Sequence, residues 1–226
     1  MSRADIRTVL FDLDGTLLDT APDLAAALNT VLEENQCPPL PLESIRPAVS
    51  HGGMALIKLG FKLQHNDPRF DALRQRLLTV YRENISSRTT LFPGMDATLQ
   101  TIEQRGLSWG VVTNKPGWLT DPLMKDLRLY DRAVCIISGD TLQYSKPHPA
   151  PLLHACQLAN SLPDQCLYVG DALRDIEAGR NAGMYTMVAL FGYFTDHDQP
   201  HSWGATHLIN EPRELLAWLD NHPARE

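Results

Sequence analysis

The segment TVLFDLDGT, residues 8–16, sets the architecture that the rest of the chain completes. Its first four residues, Thr8 to Phe11, form a short and largely apolar run that is typical of a buried strand, and Asp12 to Thr16 form a turn. The carboxylates of Asp12 and Asp14 therefore follow directly on a strand. Ligands of open parallel sheets bind beyond the carboxyl ends of the strands, so we expect the functional site at this turn.

From Leu91 onward, short apolar strands alternate with amphipathic helices. Strands are predicted at 107–113, 133–138, 166–169 and 185–190. Helices are predicted at 94–105, 116–127, 149–159, 175–182 and 211–220. This alternation predicts an α/β fold, a Rossmann-like and mostly parallel sheet with helices on both faces.

Residues 17–88 follow a different pattern, in which we find no strand. Amphipathic helices are predicted at 22–35 and 68–86, and between them lie a proline-rich link and a glycine turn at 50–54 that opens a short apolar helix. We therefore expect an all-α insertion at 17–88, called the cap below. Residues 1–16 and 89–226 would then form the catalytic α/β core.

Composition excludes several classes of protein. The 226 residues include 20 basic and 27 acidic side chains, a formal net charge of −7, which disfavours binding to nucleic acid or to an anionic membrane. No run approaches the roughly 18 apolar residues of a membrane span, and no secretory signal precedes the first strand. The four cysteines form no C-x-x-C pair and are expected to be reduced thiols. We expect a cytoplasmic monomer or homodimer.

Polar residues collect where the predicted strands end, and they are Asp12, Asp14, Thr113, Asn114, Lys146, Asp171 and Asp175. Clustered carboxylates repel one another, so a cation must compensate their charge, and oxygen ligands suit Mg²⁺. A carboxylate beside Mg²⁺ can attack phosphorus, while a second carboxyl serves as acid and base. The sequence thus predicts Mg²⁺ as cofactor and the transfer of a phosphoryl group from the substrate, and the resemblance described next implies that this substrate is a small phosphomonoester.

The order of these motifs, D-x-D-G-T, T-N, a lysine before proline and G-D-x-x-x-D, resembles that of the haloacid dehalogenase-like hydrolases. More narrowly, the segments FDLDGTLLDTAPD, LFPGM, GVVTNKP, SKPHPAPL and VGDALRDIEAGRNAGM look like the phosphoglycolate phosphatase branch. GVVTNKP, SHGGM and HSWGATH are most similar to bacterial N-acetylmuramic acid 6-phosphate phosphatases of that branch. The similarity covers nearly the whole chain.

The resemblance implies a role for each carboxylate. Asp12 would be the nucleophile and a Mg²⁺ ligand, and Asp14 would be the general acid and base, with its backbone carbonyl on the metal. Asp171 would bind Mg²⁺, with Asp175 close by and acting through water. Many relatives carry an acid or a hydroxyl where this chain has Ala172, which leaves that outer position to Asp175.

The resemblance also implies the groups that hold the substrate. Thr113 and Asn114 would bind the phosphoryl group, and Lys146 would steady both the phosphate and the nucleophile. The cap would close over the site and exclude water. Within it, His51, Gly52 and Gly53 are our first choice for substrate contact, and Arg46, Lys58 and Lys62 are further candidates for binding a substrate carboxylate.

The expected function is a phosphatase of the phosphoglycolate phosphatase type that forms an aspartyl phosphate, acting on 2-phosphoglycolate or on N-acetylmuramic acid 6-phosphate. The alternative is a sugar phosphomutase of the β-phosphoglucomutase type, which shares all the core motifs. A dehalogenase of the same superfamily typically lacks the second acid, so Asp14 argues against it. The insertion and the Asp12–Asp14 pair argue against a receiver domain.

Overall fold

A six-stranded parallel sheet lies at the centre of the structure, a computed structural model that describes residues 6–221. The strands of this part of the chain are β1 (Thr8–Phe11), β2 (Leu18–Asp19), β3 (Thr90–Leu91), β4 (Ser108–Val112), β5 (Ile136–Ile137), β6 (Cys166–Gly170), β7 (Tyr185–Ala189) and β8 (His207–Ile209). The sheet has the order β5-β4-β1-β6-β7-β8. Because β1 lies between β4 and β6, the carboxyl ends of these three strands are neighbours.

Helices cover both faces of this sheet. The helices of the described chain are α1 (Ala21–Glu34), α2 (Leu42–Val49), α3 (Gly52–Phe61), α4 (Phe70–Glu83), α5 (Met95–Gln104), α6 (Gly117–Asp126), α7 (Ala150–Leu158), α8 (Leu173–Asn181) and α9 (Glu214–Asp220), with 3₁₀ turns at Pro163–Gln165 and Pro200–Ser202. Within residues 6–221, none of the helices has the length and apolar character that a bilayer span requires.

Successive side chains of each strand point to opposite faces of the sheet, so each face has an apolar surface that helices cover. Val9 and Phe11 pack on one side of the sheet with residues of α5, α6 and α9, whereas Leu10 and Tyr168 pack on the other with residues of α7 and α8. Apolar residues of α1–α4 join the first of these cores without a break. The predicted α/β fold, with a parallel sheet covered on both faces, is confirmed.

The prediction of no strand within 17–88 is wrong. Leu18 and Asp19 form β2, which pairs antiparallel with β3, so that Leu18 lies opposite Leu91 and Asp19 opposite Thr90. A two-residue strand is too short to show a periodic pattern, and its partner lies far away in the sequence. The pattern analysis also missed the short strand β8 and helix α2, the latter of which follows a proline-rich link. The boundaries of core and cap stay a prediction.

The first turn of α1 is tied to the segment by which the chain returns to the sheet. Asp23, buried in that turn, accepts hydrogen bonds from the backbone N–H of Arg88 (3.0 Å) and from both the N–H (2.8 Å) and the hydroxyl (2.7 Å) of Thr89. A single carboxylate thus closes the loop that contains α1–α4.

We predict that Asp23→Ala lowers the free energy of unfolding by about 1.5–3 kcal/mol, because it removes bonds to a charged acceptor and leaves buried donors without partners. Urea unfolding measures the change. Asp71→Ala is the matched control, since Asp71 also lies in the first turn of a cap helix but is exposed. Equal effects of the two substitutions would contradict the role of Asp23.

Candidate active site

Three neighbouring strands deliver the predicted residues to one edge of the sheet. Asp12 directly follows β1, Thr113 directly follows β4, and Asp171 directly follows β6. Phe11 is in register with both Val111 and Val169, so the side chains that follow these strands are brought together. This is the crevice that the sequence predicts.

Lys146 occupies the centre of this edge, although it comes from the loop between β5 and α7. Its ammonium is buried and lies 2.9 Å from Asp12 Oδ1 and 2.8 Å from Asp175 Oδ1. It also donates to the carbonyl of Val112 (2.9 Å) and to the hydroxyl of Tyr168 (2.7 Å). The charge is fully surrounded by acceptors, so its position is closely fixed.

One carboxylate oxygen of Asp12 is fixed by hydrogen bonds, and the other is free to react. Oδ1 accepts from Lys146 and from the N–H of Leu13 (2.7 Å), whereas Oδ2 makes no hydrogen bond to any residue in the range 6–221. Burial favours the neutral acid, but the charges of Lys146 and Arg174 and these hydrogen bonds outweigh it, so the pKa of Asp12 lies below its ordinary value. Asp12 is therefore an ionised carboxylate.

Asp171 has the opposite electrostatic environment. Its carboxylate accepts from Ser50 Oγ (2.7 Å) and from the N–H of Tyr193 (2.9 Å) but forms no ion pair within the described residues. Burial and the negative charges of Asp12 and Asp175 raise the pKa of Asp171 to about 8. Without a cation, the site therefore has one carboxylate more than its buried cations neutralise, and at neutral pH a proton on Asp171 offsets that surplus.

This surplus matches the donor set of a divalent cation. Oxygens of Asp12, Asp171 and Asp175 lie within 4.8 Å of one another, and all three residues are buried. Carboxylate oxygens are the ligands that Mg²⁺ prefers. The side chain of Asp14 is not part of this cluster. The contact expected between Asp14 and the metal is through its backbone carbonyl.

Asp14 is held between the sheet and the cap. Its Oδ1 accepts from Thr20 Oγ1 (2.6 Å) and forms an ion pair with Lys115 Nζ (2.8 Å). The same ammonium lies 4.6 Å from the ring centroid of Tyr81 in α4. Burial alone would lower the pKa of Lys115, but Asp14 more than offsets this effect, and the pKa lies above its ordinary value.

Thr113 and Asn114 are both at the site, with different uses for their side chains. Thr113 is buried beside the cavity, and its Oγ1 accepts from the N–H of Lys115 (3.2 Å). The Asn114 amide donates to the carbonyl of Lys146 (2.9 Å), and its oxygen accepts from the N–H of Lys146 (3.0 Å). The Asn114 side chain therefore positions the lysine loop.

Two glycines leave room for the carboxylates. Gly15 has φ +87°, and a Cβ there would lie 2.2 Å from Asp171 Oδ2. At Gly170 a Cβ would lie 2.4 Å from the Cβ of Asp175. The glycines of the D-x-D-G and G-D motifs are thus required by close packing around the acidic cluster.

A cavity of about 400 Å³ opens above Asp12, between the sheet edge and the cap. From the cap it is lined by His51, Gly52 and Gly53, whose contact with substrate stays a prediction, and also by Leu24, Val49, Ser50, Met54, Arg74, Leu78 and Tyr81. The other predicted basic residues lie elsewhere. Arg46 is paired with Asp19 (2.8 Å), and Lys58 and Lys62 are exposed and do not line the cavity.

The family model described as haloacid dehalogenase-like hydrolase matches residues 9–189, which is most of the chain. The chain belongs to this family. The predicted family is thereby confirmed, with the four motifs placed at one sheet edge.

Relatives of this hydrolase carry two different substrate names. An N-acetylmuramic acid 6-phosphate phosphatase of Pseudomonas aeruginosa is 40% identical over 220 residues, 97% of each chain. A phosphoglycolate phosphatase of Xanthomonas campestris is 43% identical over 215 residues, 94% of this chain and 97% of the relative. The crystal structure of a predicted phosphoglycolate phosphatase from Haemophilus somnus superposes with a TM-score of 0.83 at 25% identity, covering 96% and 99% of the chains. The predicted enzyme class, a phosphoric monoester hydrolase, is confirmed.

Several site residues of the hydrolase were missed by sequence reasoning. Lys115 stands inside the GVVTNKP segment and Arg174 inside VGDALRD, so both were visible as charges next to assigned residues. Arg174 donates to the carbonyl of Ser50 (2.6 Å), and its pKa is raised because Asp175, Asp12 and Asp171 outweigh the effect of burial. Tyr168 and Arg74 gave no signal, because their role depends on packing.

We predict that Asp171→Asn stabilises the metal-free hydrolase at pH 8 by about 1–4 kcal/mol and has little effect near pH 4. The folded protein holds the Asp171 proton up to about pH 8 and the unfolded chain loses it near 3.8, so this carboxyl lowers stability as pH rises between those values. Urea unfolding in a chelator measures the effect.

The urea unfolding is then repeated with added Mg²⁺ in place of the chelator. Added Mg²⁺ should stabilise the unsubstituted hydrolase at pH 8 and should stabilise Asp171→Asn much less, because the variant lacks one carboxylate of the cluster. Equal stabilisation of the two proteins by Mg²⁺ would argue against Asp171 as a ligand.

Proposed function

We propose that this hydrolase is a Mg²⁺-dependent phosphatase of the phosphoglycolate phosphatase type, which cleaves a small phosphomonoester through an aspartyl phosphate on Asp12. One observation carries the proposal. Asp12 is ionised and buried at the cavity, with Oδ1 fixed by Lys146 and Leu13 and Oδ2 without a hydrogen-bond partner within the range 6–221. This arrangement supports a nucleophile.

The first step transfers the phosphoryl group to the protein. Asp12 Oδ2 attacks phosphorus, the ester P–O bond breaks, and the departing alcohol oxygen takes a proton from Asp14, which enters this step protonated rather than as the carboxylate that pairs with Lys115. Thr113 lines the cavity next to Asp12, where its hydroxyl can donate to a phosphoryl oxygen, and the Lys146 ammonium offsets the negative charge.

The second step restores the enzyme. Asp14, now a carboxylate, takes a proton from water, the water oxygen attacks phosphorus, and the bond to Asp12 breaks to release inorganic phosphate. Asp14 lines the cavity and is held by Thr20 and Lys115, so the same group can serve both steps. The cap helices above the cavity limit the access of bulk water.

The acidic cluster fits Mg²⁺, since the raised pKa of Asp171 marks a site that lacks positive charge. Asp12, Asp171 and the backbone carbonyl of Asp14 would hold the ion, with Asp175 beside them. When bound, Mg²⁺ would neutralise the carboxylates and the phosphoryl oxygens, which allows an anionic substrate to approach.

The proposed setting is the cytoplasm, with a small-molecule substrate and no nucleic acid or membrane partner. All four cysteines are free thiols in the structure, which agrees with a reducing compartment. The net charge of −7 agrees with the absence of a nucleic acid partner. The monomer or homodimer expected from the sequence stays a prediction.

We predict that Asp12→Asn lowers the turnover of p-nitrophenyl phosphate by at least about 1,000-fold, because an amide is not a nucleophile at phosphorus. Phosphate release is measured, and circular dichroism verifies the fold. Asp131→Asn, which changes an exposed aspartate, is the control and should keep full activity. Turnover by Asp12→Asn close to that of the control would disprove the assigned nucleophile.

A panel of kcat/KM values separates the candidate substrates. We expect release of inorganic phosphate from N-acetylmuramic acid 6-phosphate or 2-phosphoglycolate at a higher kcat/KM than from β-glucose 1-phosphate. Conversion of β-glucose 1-phosphate to glucose 6-phosphate as the dominant activity would establish the phosphomutase alternative instead.

A further inference from the structure

Four basic side chains line the cavity above Asp12, and two of them have their charges engaged by the protein. Lys115 is paired with Asp14 (2.8 Å). Arg174 donates to the Ser50 carbonyl and lies in the field of the acidic cluster. His51 is exposed at the opening of the cavity. The remaining basic residue of the lining is Arg74 of α4, whose guanidinium is permanently charged.

Arg74 is half-buried and forms no ion pair or hydrogen bond with any residue between 6 and 221. Its neighbours on the cap behave differently. Arg46 is paired with Asp19 at 2.8 Å, Arg69 with Asp67 at 3.0 Å, and Arg76 with Glu34 at 2.5 Å. Three arginines of the cap are thus paired with an acid, and Arg74 is the unpaired arginine of the cap that lines the cavity.

The position of Arg74 along α4 separates it from the reacting end of the cavity. Arg74, Leu78 and Tyr81 follow the spacing of one helix face, and all three line the cavity. Tyr81 meets the sheet edge through Lys115 (4.6 Å). Seven residues of helix place the Arg74 backbone about 10 Å farther along the axis, and helical side chains point toward the N-terminus, away from Tyr81.

The wall between the two ends is largely apolar and closely packed. Leu24, Met54 and Leu78 contribute to it. At Gly53, α3 lies against α4, and a Cβ there would be in ordinary contact with Leu78 (3.4 Å) and with the Cγ of Arg74 (3.7 Å). The buried hydroxyl of Tyr81 has no hydrogen-bond partner in the described chain. It is the second polar group of this wall without a partner, after the Arg74 guanidinium.

We propose that Arg74 binds a carboxylate of the substrate at the end opposite the phosphate ester, so that the preferred substrate is a phosphorylated sugar acid rather than a two-carbon acid. The inference rests on the proposed phosphatase function and adds the substrate class. A planar guanidinium pairs with a carboxylate through two parallel hydrogen bonds. A cavity of about 400 Å³ accommodates a hexose derivative, and the apolar wall suits its ring face.

Two sugar phosphates provide the test, because they differ only by the acidic lactyl ether. They are N-acetylmuramic acid 6-phosphate, which carries the carboxylate, and N-acetylglucosamine 6-phosphate, which does not. The kcat/KM of each is measured for the unsubstituted enzyme, Arg74→Gln, Arg74→Lys and the control Lys58→Gln. Lys58 is an exposed cation of α3 outside the cavity, so its loss changes the net charge of the cap equally.

We expect Arg74→Gln to lower kcat/KM for the acidic sugar by about 10–100-fold, mainly through KM, and for the neutral sugar by less than about threefold. Arg74→Lys should recover part of the loss, and Lys58→Gln should change neither substrate. Circular dichroism and turnover of p-nitrophenyl phosphate verify that each variant is folded and active.

Three results would overturn the proposal: an unsubstituted enzyme that does not distinguish the two sugars, an equal loss for both sugars in Arg74→Gln, and no loss for either. An equal loss would assign Arg74 to the phosphate or to the fold. Failure of the proposed phosphatase function gives a distinct result. The unsubstituted enzyme would then release no phosphate from either sugar phosphate or from p-nitrophenyl phosphate.

Discussion

The buried ammonium of Lys146 is the contact on which the candidate site depends. It pairs with Asp12 and Asp175 at the same time, and it holds the end of β1, the first turn of α8 and the carbonyl of Val112 at the end of β4 around one charge. Three buried carboxylates face Lys146 and Arg174, so one carboxyl has no cation to neutralise it, and the raised pKa of Asp171 identifies it. A divalent cation would compensate this buried charge, which supports the proposed metal site.

The same edge of the sheet also holds the cap in place. Ser50, at the end of α2, donates to Asp171 and accepts from Arg174, and Lys115 connects Asp14 to the ring of Tyr81. Each contact uses a residue of the site itself. The contacts that keep the cap over the cavity therefore depend on the charges at the sheet edge.

Local patterns were sufficient to predict the core. The strand before Asp12 and the strand before Asp171 are short apolar runs that end in acidic turns, and a parallel sheet brings such turns together. Pattern analysis failed where the structure depends on distant partners. The pairing of β2 with β3 joins residues more than 70 positions apart, and the use of the Asn114 side chain to hold Lys146 depends on a loop 32 residues away. Neither leaves a periodic signal.

The cap shows why specificity is harder to predict than catalysis. A count of its cations indicates Arg46, Lys58 and Lys62 as readily as Arg74, and the difference between them is set by pairing and by helix phase. Arg46 is neutralised by Asp19, and the two lysines lie on exposed surfaces, so their charges do not reach the cavity. The charge of Arg74 acts on a substrate because no acid of the cap compensates it. An acidic protein can therefore attract an anion, since local pairing and not net charge sets the field in the cavity.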